Sequence, residues 1–255
     1  MKNNQDKYFN TLLIFFYFFI FLLIYERHLC FSLGLYTADK WNNTLYIFMC
    51  ENLQIDFWNE NKLVENIQSF LLLISILIFF LVLKKIDKKN KFIFYFFSLF
   101  FLGLIFFLGE EISWGQHIFK WDSPNLFIEF NHQKETNLHN ISNLFNEIPR
   151  SIILIWCTLS ALLVCRINKL KKFHLIICPI NQLIFIAFSL ILVVLPDLIF
   201  SKLNIEFNRI TQRLTLNFLR LSELQELIIC FYFFIYSLSV FNNLEKIKKF
   251  KLDDS

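Results

Sequence analysis

The sequence predicts an all-α, polytopic integral membrane protein with about six transmembrane helices. Three observations lead to this prediction: 56% of the 255 residues are hydrophobic, the mean hydropathy is +0.50, and long apolar segments recur along the whole chain. About 20 apolar residues in a helix cross the hydrocarbon core of a bilayer. We therefore treat residues 1–255 as a single integral membrane domain.

Six apolar segments are the predicted spans. The first is too long and too uniformly bulky for a cleaved signal peptide, so we expect a retained anchor. The fourth is short for a span and gains length from Pro149, which suits a first helical position. The predicted spans are Tyr8–Tyr25, Leu63–Leu83, Phe92–Gly109, Arg150–Cys165, Leu175–Phe200 and Leu224–Phe241.

The basic residues predict the orientation of these spans. Fifteen of the 25 Lys and Arg residues lie in four short stretches, before the first span and at 84–91, 166–172 and 246–251. Such an excess of Lys and Arg marks cytoplasmic loops. The predicted topology is N-in and C-in, with every long connection outside. The overall charge of +4 is what remains after the basic cytoplasmic stretches and the acidic outer connections offset each other. It does not imply a nucleic-acid partner.

Two of the six cysteines, Cys30 and Cys50, share the first outer connection. They can pair in an oxidising compartment, and the sequence leaves that pairing open.

The third outer connection predicts an amphipathic helix on the membrane surface. Arg209 and Arg213 lie on a different strip from its apolar residues, and they either snorkel to lipid phosphates or bind an anionic head group of a substrate. The apolar residues recur at intervals of three and four: Phe207, Ile210, Leu214, Phe218 and Leu221.

Two adjacent carboxylates, Glu110 and Glu111, lie at the end of the third predicted span. A charged side chain costs about 2.5–3.5 kcal/mol at the bilayer centre, so acids here need a partner, a water-filled cavity or a function. Three of the four glycines (Gly103, Gly109 and Gly115) fall in the same region. Glycine there suggests that another backbone or a ligand comes close.

If the third helix continues beyond the membrane, Glu110, Ser113 and His117 share one face, because residues three and four apart are neighbours on a helix. Trp114 lies on a neighbouring stripe. A second short helix would bring His132, Glu135 and His139 together by the same spacing.

Carboxylates and imidazoles from two elements suit general acid–base chemistry or a divalent metal, with Glu111, Glu135 and His139 as its predicted ligands. The chain has no His-Glu-x-x-His motif and no paired Cys-x-x-Cys motif. A polar network that holds the loop over the bundle explains the same residues. We also expect Glu226, at the start of the sixth span, to converge on this region.

Two stretches resemble a group of mostly bacterial multi-pass membrane proteins. That group has Gly-Glu-Glu-Ile-Ser-Trp-Gly-Gln-Arg followed by Asn-x-Gln-x-Glu-Thr-Asn-Leu-His-Asn. The chain matches these patterns at Gly109–Gln116 and at Asn131–Asn140, with His117 where the group has Arg. A third stretch, Glu60–Glu65, is similar to the Glu-Asp-Gly-x-x-Glu pattern with which the second span of that group begins, with Asp and Gly replaced here, so the resemblance covers about 80 residues. It implies a bacterial inner membrane and brings no assigned reaction.

The sequence favours a membrane-embedded hydrolase or group transferase that acts on a lipid-linked or amphipathic substrate at the outer face. A proton-coupled transporter and a structural or assembly subunit are the alternatives. The predicted catalytic residues are Glu110, Glu111, His139 and Glu226. The predicted substrate-binding residues are Ser113, Trp114, Gln116, Asn137, Arg209 and Arg213.

Overall fold

The computed structural model contains helices and short connections, with no strand among the residues it describes. The all-α prediction is confirmed for this part of the chain. The described residues are 2–35, 63–88, 90–131, 135–138, 141, 148, 151–160, 173–202 and 221–249. The helices are α1 (Lys2–Leu35), α2 (Leu63–Lys85), α3 (Lys91–Glu111), α4 (Gln116–Phe119), α5 (Asn125–Phe130), α6 (His174–Ile177), α7 (Gln182–Lys202), α8 (Leu221–Asn242) and α9 (Leu244–Lys248). A 3₁₀ turn covers Ser113–Gly115 and a π-helical turn covers Trp156–Ser160.

Four helices are long and apolar enough to cross a membrane: α2, α3, the Asp6–Tyr25 part of α1 and the Glu223–Asn242 part of α8. They coincide with the first, second, third and sixth predicted spans, and they make the chain compatible with an integral membrane protein. Of the fourth predicted span, 151–160 is described. The count of six spans and their orientation remain predictions.

The fifth predicted span begins later than expected. The prediction of one helix from Leu175 is wrong, because α6 ends at Ile177 and α7 begins at Gln182. Pro179 lies between them, and a proline pushes the preceding residue out of the helical region. Cys178 accordingly has φ −139° and ψ 68°.

The chain forms two compact units, Met1–Asn66 with Ile191–Leu227 and Ile67–Leu190 with Ile228–Ser255, whose boundaries fall within α2, α7 and α8. In the first unit, α1 buries one face and exposes large apolar side chains, including Phe15 and Phe18, on another. A helix that is apolar on all sides is typical of a membrane span. The buried face consists of Phe9, Leu13, Phe16, Ile20 and Leu23.

Aromatic rings form the core of the second unit. Phe79 of α2 contacts Phe97 and Phe100 of α3, with ring centroids 5.6 and 4.7 Å apart. Tyr236 of α8 stacks on Phe79 at 6.0 Å, and Phe233 meets Phe100 edge to face at 5.5 Å. Edge-to-face and offset contacts of this kind add about 0.5–1.5 kcal/mol each to area burial. They fix α2, α3 and α8 against one another.

A side chain of α8 hydrogen-bonds to the backbone at the break between α6 and α7. Because α6 ends before Pro179, the carbonyl of Ile176 lacks the helical amide partner that a continued helix would supply. The buried hydroxyl of Tyr236 donates to this carbonyl instead. The hydrogen bond joins residues 60 positions apart.

Several predicted features lie outside the described residues. These are the side chains of Cys30 and Cys50, most of the predicted interfacial helix with Arg209 and Arg213, and the two histidines His132 and His139.

Candidate functional site at the end of α3

Helix α3 ends at Glu111, and left-handed backbone conformations follow it. Ile112 closes the helix with its N–H on the carbonyl of Leu108 at 3.1 Å. Ser113, Trp114 and Gly115 then all have positive φ, at 46°, 53° and 90°. The predicted continuous helix through His117 is therefore wrong, because three left-handed residues interrupt it before α4 begins.

The three glycines of this region have different surroundings. A Cβ on Gly109 would lie 2.9–3.0 Å from the indole of Trp114, which is too close for a real contact. Gly109 is thus needed for the close approach of Trp114 to α3. Gly115 has a left-handed φ of 90°, which glycine adopts without a steric penalty. Gly103 has nothing within 4 Å of an added Cβ.

The carboxylate of Glu110 accepts hydrogen bonds from two segments that follow α3, the turn at Trp114 and the segment at Leu138. Its Oε1 accepts from the indole Nε1 of Trp114 at 2.8 Å, and its Oε2 accepts from the backbone N–H of Leu138 at 2.7 Å. Glu110 is 6% exposed. Hydrogen bonds to an ionised group contribute about 1.5–3 kcal/mol each, so this carboxylate holds residue 138 against the end of α3.

A second cluster joins a hydroxyl, a carboxylate and an amide. The Oγ of Ser113 donates to Oε2 of Glu135 at 2.9 Å. The Nδ2 of Asn137 donates to the same Glu135 oxygen at 2.8 Å and to Ser113 Oγ at 3.0 Å. Ser113 and Asn137 are each 1% exposed. The three side chains therefore form a closed triangle of hydrogen bonds, in which Ser113 and Asn137 are buried and Glu135 is half-buried.

Two further side chains fix the backbone of the same segment. Gln116 accepts from the backbone N–H of Thr136 at 2.7 Å and donates to Ser123 Oγ at 2.8 Å. The Nδ2 of Asn131 donates to the carbonyls of Glu135 and Asn137, at 2.8 and 2.9 Å. We call these six side chains the polar cluster: Glu110, Ser113, Gln116, Asn131, Glu135 and Asn137.

The polar cluster joins the two sequence motifs, which are separated by the 14 residues 117–130. Of the predicted site residues, Glu110, Ser113, Trp114, Gln116, Glu135 and Asn137 come together here. The predicted helix through His132, Glu135 and His139 is wrong over residues 135–138, which are not helical. Asn131 and Ser123 were missed. Asn131 opens the second motif, whereas nothing in the sequence distinguishes Ser123.

Of the other predicted catalytic residues, the structure describes Glu111 and Glu226. Glu111 is half-buried beside the cluster. Glu226 belongs to the first compact unit and Glu110 to the second, so their convergence stays a prediction. His139, Arg209 and Arg213 lie outside the described residues.

The predicted metal site also stays a prediction. Within the part of the chain that the structure describes, no three His, Cys, Asp or Glu side chains are grouped to hold a metal ion. His139, which completes the predicted ligand set with Glu111 and Glu135, is not in that part.

Exposed aromatic side chains lie at the polar cluster and at the neighbouring Gly115. Trp114, Phe119 and Trp121 are 44%, 73% and 42% exposed, and the rings of Phe119 and Trp121 stack at 5.7 Å. Exposed aromatic residues next to the end of an apolar helix are typical of the membrane–water interface.

No protein-family model matches this chain, and comparisons with curated proteins and with solved structures give no match either.

Proposed function

We propose that this chain is a membrane-embedded enzyme that acts by hydrolysis or group transfer on a lipid-linked or otherwise amphipathic substrate. The observation that carries the proposal is the hydrogen bond from Ser113 to Glu135, at 2.9 Å, on a backbone turn with left-handed φ. A hydroxyl bonded to a carboxylate that is oriented by a third group is the arrangement of an activated nucleophile.

In this mechanism Ser113 Oγ bonds to the acyl carbon or phosphorus of the substrate while its proton passes to Glu135. Glu135 then gives that proton to the leaving group. Water or a second alcohol then attacks the ester on Ser113, its proton passes through Glu135 to Oγ as the ester bond breaks, and the free serine is restored; water gives hydrolysis and the alcohol gives transfer. Asn137 keeps the carboxylate and the hydroxyl in position through its two hydrogen bonds. Because Ser113 is buried, the 135–138 segment shifts when substrate enters.

The backbone at Ser113 supports a role beyond packing. Positive φ at a residue other than glycine costs about 1–3 kcal/mol, and such strain concentrates at active sites. Ser113 and Trp114 both carry it, and the polar cluster supplies the contacts that hold them there. A serine at this position retains a hydroxyl where a glycine would fit the backbone better.

The surroundings favour an amphipathic substrate. The polar cluster follows a helix long enough to cross a membrane, and the exposed aromatic residues beside it suit the depth of lipid head groups. We infer that the reacting bond of the substrate lies near the interface and that its apolar part lies in the bilayer. The proposed site lies on the outer face, as the basic loops predict, and the resemblance to bacterial membrane proteins favours a bacterial inner membrane.

The test is a product search with a variant that removes the hydroxyl and relaxes the backbone. The parent and Ser113→Gly are reconstituted in vesicles of phosphatidylethanolamine and phosphatidylglycerol that contain a total lipid extract of the source cells. The reaction runs in ¹⁸O-labelled water. We expect the parent to form a lipid product, ¹⁸O-labelled if the reaction is hydrolysis, which mass spectrometry detects and which Ser113→Gly does not form.

The matched control is Lys120→Gly. Lys120 also has a positive φ, of 54°, and is exposed outside the polar cluster, so this change relieves strain without removing a cluster group. We expect it to keep activity. A further variant, Glu111→Gln, should fold like the parent and lose activity if the half-buried acid takes part. A parent that forms no new lipid, or a Ser113→Gly variant with full activity, overturns the proposed mechanism.

A structural role is the second candidate, and one observation favours it. Glu110, Gln116 and Asn131 all bind backbone groups of residues 135–138, as expected for a network that only holds a loop. In that case substitutions in the polar cluster lower the melting temperature while the parent itself forms no product. The two candidates therefore predict different results in the same pair of measurements.

A further inference from the structure

The second unit contains a cavity that the polar cluster does not use. Its volume is about 420 Å³, its lining is apolar, and residues of α3, α8 and the 151–160 segment surround it, among them Phe96, Gly103, Phe107, Ile152 and Phe233. Pockets of about 300–1,000 Å³ with mainly apolar walls are typical of small-molecule and lipid sites.

The length of the cavity matches one leaflet of a bilayer. Its lining on α3 extends from Phe96 to Phe107, a rise of about 16 Å at 1.5 Å per residue. Half of the hydrocarbon core is about 15 Å. The cavity lies alongside α3, a helix long and apolar enough to cross a membrane, so in a bilayer acyl chains would surround it at this depth.

Glycine keeps the cavity open. Gly103 lines it in the middle of α3, and an added Cβ there would meet nothing within 4 Å. At the rim, Leu99 and Ile152 are 73% and 61% exposed. The cavity is therefore accessible from the side of α3, and its entrance presents apolar carbon to the bilayer.

One contact connects the cavity with the polar cluster. Phe106 lines the cavity and meets the indole of Trp114 edge to face, with centroids 5.9 Å apart. The same indole donates to Glu110. An apolar chain in the cavity would therefore have its polar end beside Trp114 and Glu110.

We propose that this cavity binds one acyl chain of a membrane lipid, with the head group of that lipid at Trp114. Only one part of this inference rests on the proposed function, namely that the bound lipid is the substrate. Binding of the chain itself requires no reaction, so the two are tested separately.

The experiment measures lipid that stays with the purified chain. The parent, Gly103→Phe and Leu102→Phe are each mixed with palmitoyl-oleoyl phosphatidylglycerol in a maltoside detergent and washed, and bound lipid is counted by mass spectrometry. Gly103→Phe places a ring in the cavity. Leu102 is the matched control, because it lies on α3, is 60% exposed and does not line the cavity.

We expect the parent and Leu102→Phe to retain the lipid and Gly103→Phe to bind it about tenfold more weakly, equivalent to about 1.4 kcal/mol. Ile152→Phe, at the rim, is a second blocking variant if Gly103→Phe does not fold. Equal retention by the parent and both blocking variants overturns the inference. A parent that retains no lipid also overturns the inference. A dimer of the parent that Gly103→Phe disrupts overturns it as well, because a second copy of the chain would then fill the cavity.

Glu111→Gln separates this inference from the proposed function. It should retain lipid like the parent, because Glu111 does not line the cavity. Lipid retention without turnover by the parent contradicts the proposed enzyme alone. Turnover without a difference between Gly103→Phe and Leu102→Phe contradicts the acyl-chain site alone.

Discussion

At the scale of single residues, Gly109 and Trp114 show how closely the turn packs on α3. The indole of Trp114 covers the place that a side chain on residue 109 would occupy, and from there it reaches Glu110. The missing side chain of one residue thus positions a hydrogen-bond donor five residues later.

Gly109→Ala should destabilise the chain by about 1–3 kcal/mol, the usual cost of overpacking. The physical reason is that the methyl group displaces the indole and weakens its bond to Glu110. Gly103→Ala is the matched control on the same helix, since its methyl meets nothing within 4 Å. Melting temperatures in detergent measure both. Equal melting of the two variants would contradict this account of Gly109.

The carboxylate of Glu110 allows a second comparison between neighbouring residues. Glu110→Gln retains one acceptor oxygen, so either Trp114 or the N–H of Leu138 faces an amide donor instead. Leaving one buried donor unsatisfied costs about 1–3 kcal/mol. We expect Glu110→Gln to melt earlier than Glu111→Gln by thermal denaturation. Faster proteolysis within residues 131–140 should accompany the loss, and unchanged melting would show that Glu110 does not hold the loop.

Sequence reasoning identified most of the polar cluster because acids and amides are rare beside a membrane span. It did not identify the pairing of Ser113 with Glu135, since the spacing of residues in one segment carries no information about a partner 22 positions away. Its assignment of Glu110 to catalysis stays a prediction; the structure shows this carboxylate accepting hydrogen bonds from Trp114 and Leu138.

At the scale of helices, the sequence predicted the bounds of α2 and α3 within two residues and failed at the left-handed turn after α3 and at the break before α7. A long apolar run is the sequence signal of a membrane helix, and such runs predicted the bounds of α2 and α3 well. The turn at Ser113–Gly115 depends on contacts with residues 135–138, which no local pattern contains. Pro179 is a local signal for the break between α6 and α7. Apolar residues continue on both sides of it, however, and they led to the prediction of one helix.

The short helix α6 makes the stability of the chain depend on pH. Burial lowers the pKa of His174 below its ordinary value of 6.5. The unfolded chain therefore binds this proton more readily than the folded chain, and the stability present above pH 6.5 decreases as the pH falls below it. Between about pH 7.5 and about pH 5.5, on either side of the ordinary histidine pKa, the parent should lose more melting temperature than His174→Gln. Parallel losses would contradict a role of His174.

At the scale of the whole molecule, composition alone determined the class of protein. The mean hydropathy and the apolar runs predicted membrane helices, and four helices of the required length are present among the described residues. The distribution of Lys and Arg predicts the orientation, and no packing contact can replace that argument, because orientation is defined by the membrane and not by the fold.

Cysteine labelling of intact cells tests this orientation. Lys88 follows α2 in the basic link, Glu129 follows α3, and both side chains are exposed. In a background without the native cysteines, a membrane-impermeant maleimide should label Glu129→Cys in intact cells and Lys88→Cys only after the membrane is opened. The reverse pattern would place the polar cluster and its substrate on the cytoplasmic side.

The hydrogen bond from Tyr236 to Ile176 has a consequence for biosynthesis. The two residues are 60 positions apart, and chains are made from the N-terminus at about 5–20 residues per second. The gap after α6 therefore exposes its carbonyl for several seconds until α8 is synthesised. We expect a chain truncated before Tyr236 to keep this defect permanently. We therefore expect membrane proteases to cleave such a truncated chain near α6 faster than the full chain, and equal rates of cleavage would contradict this role of Tyr236.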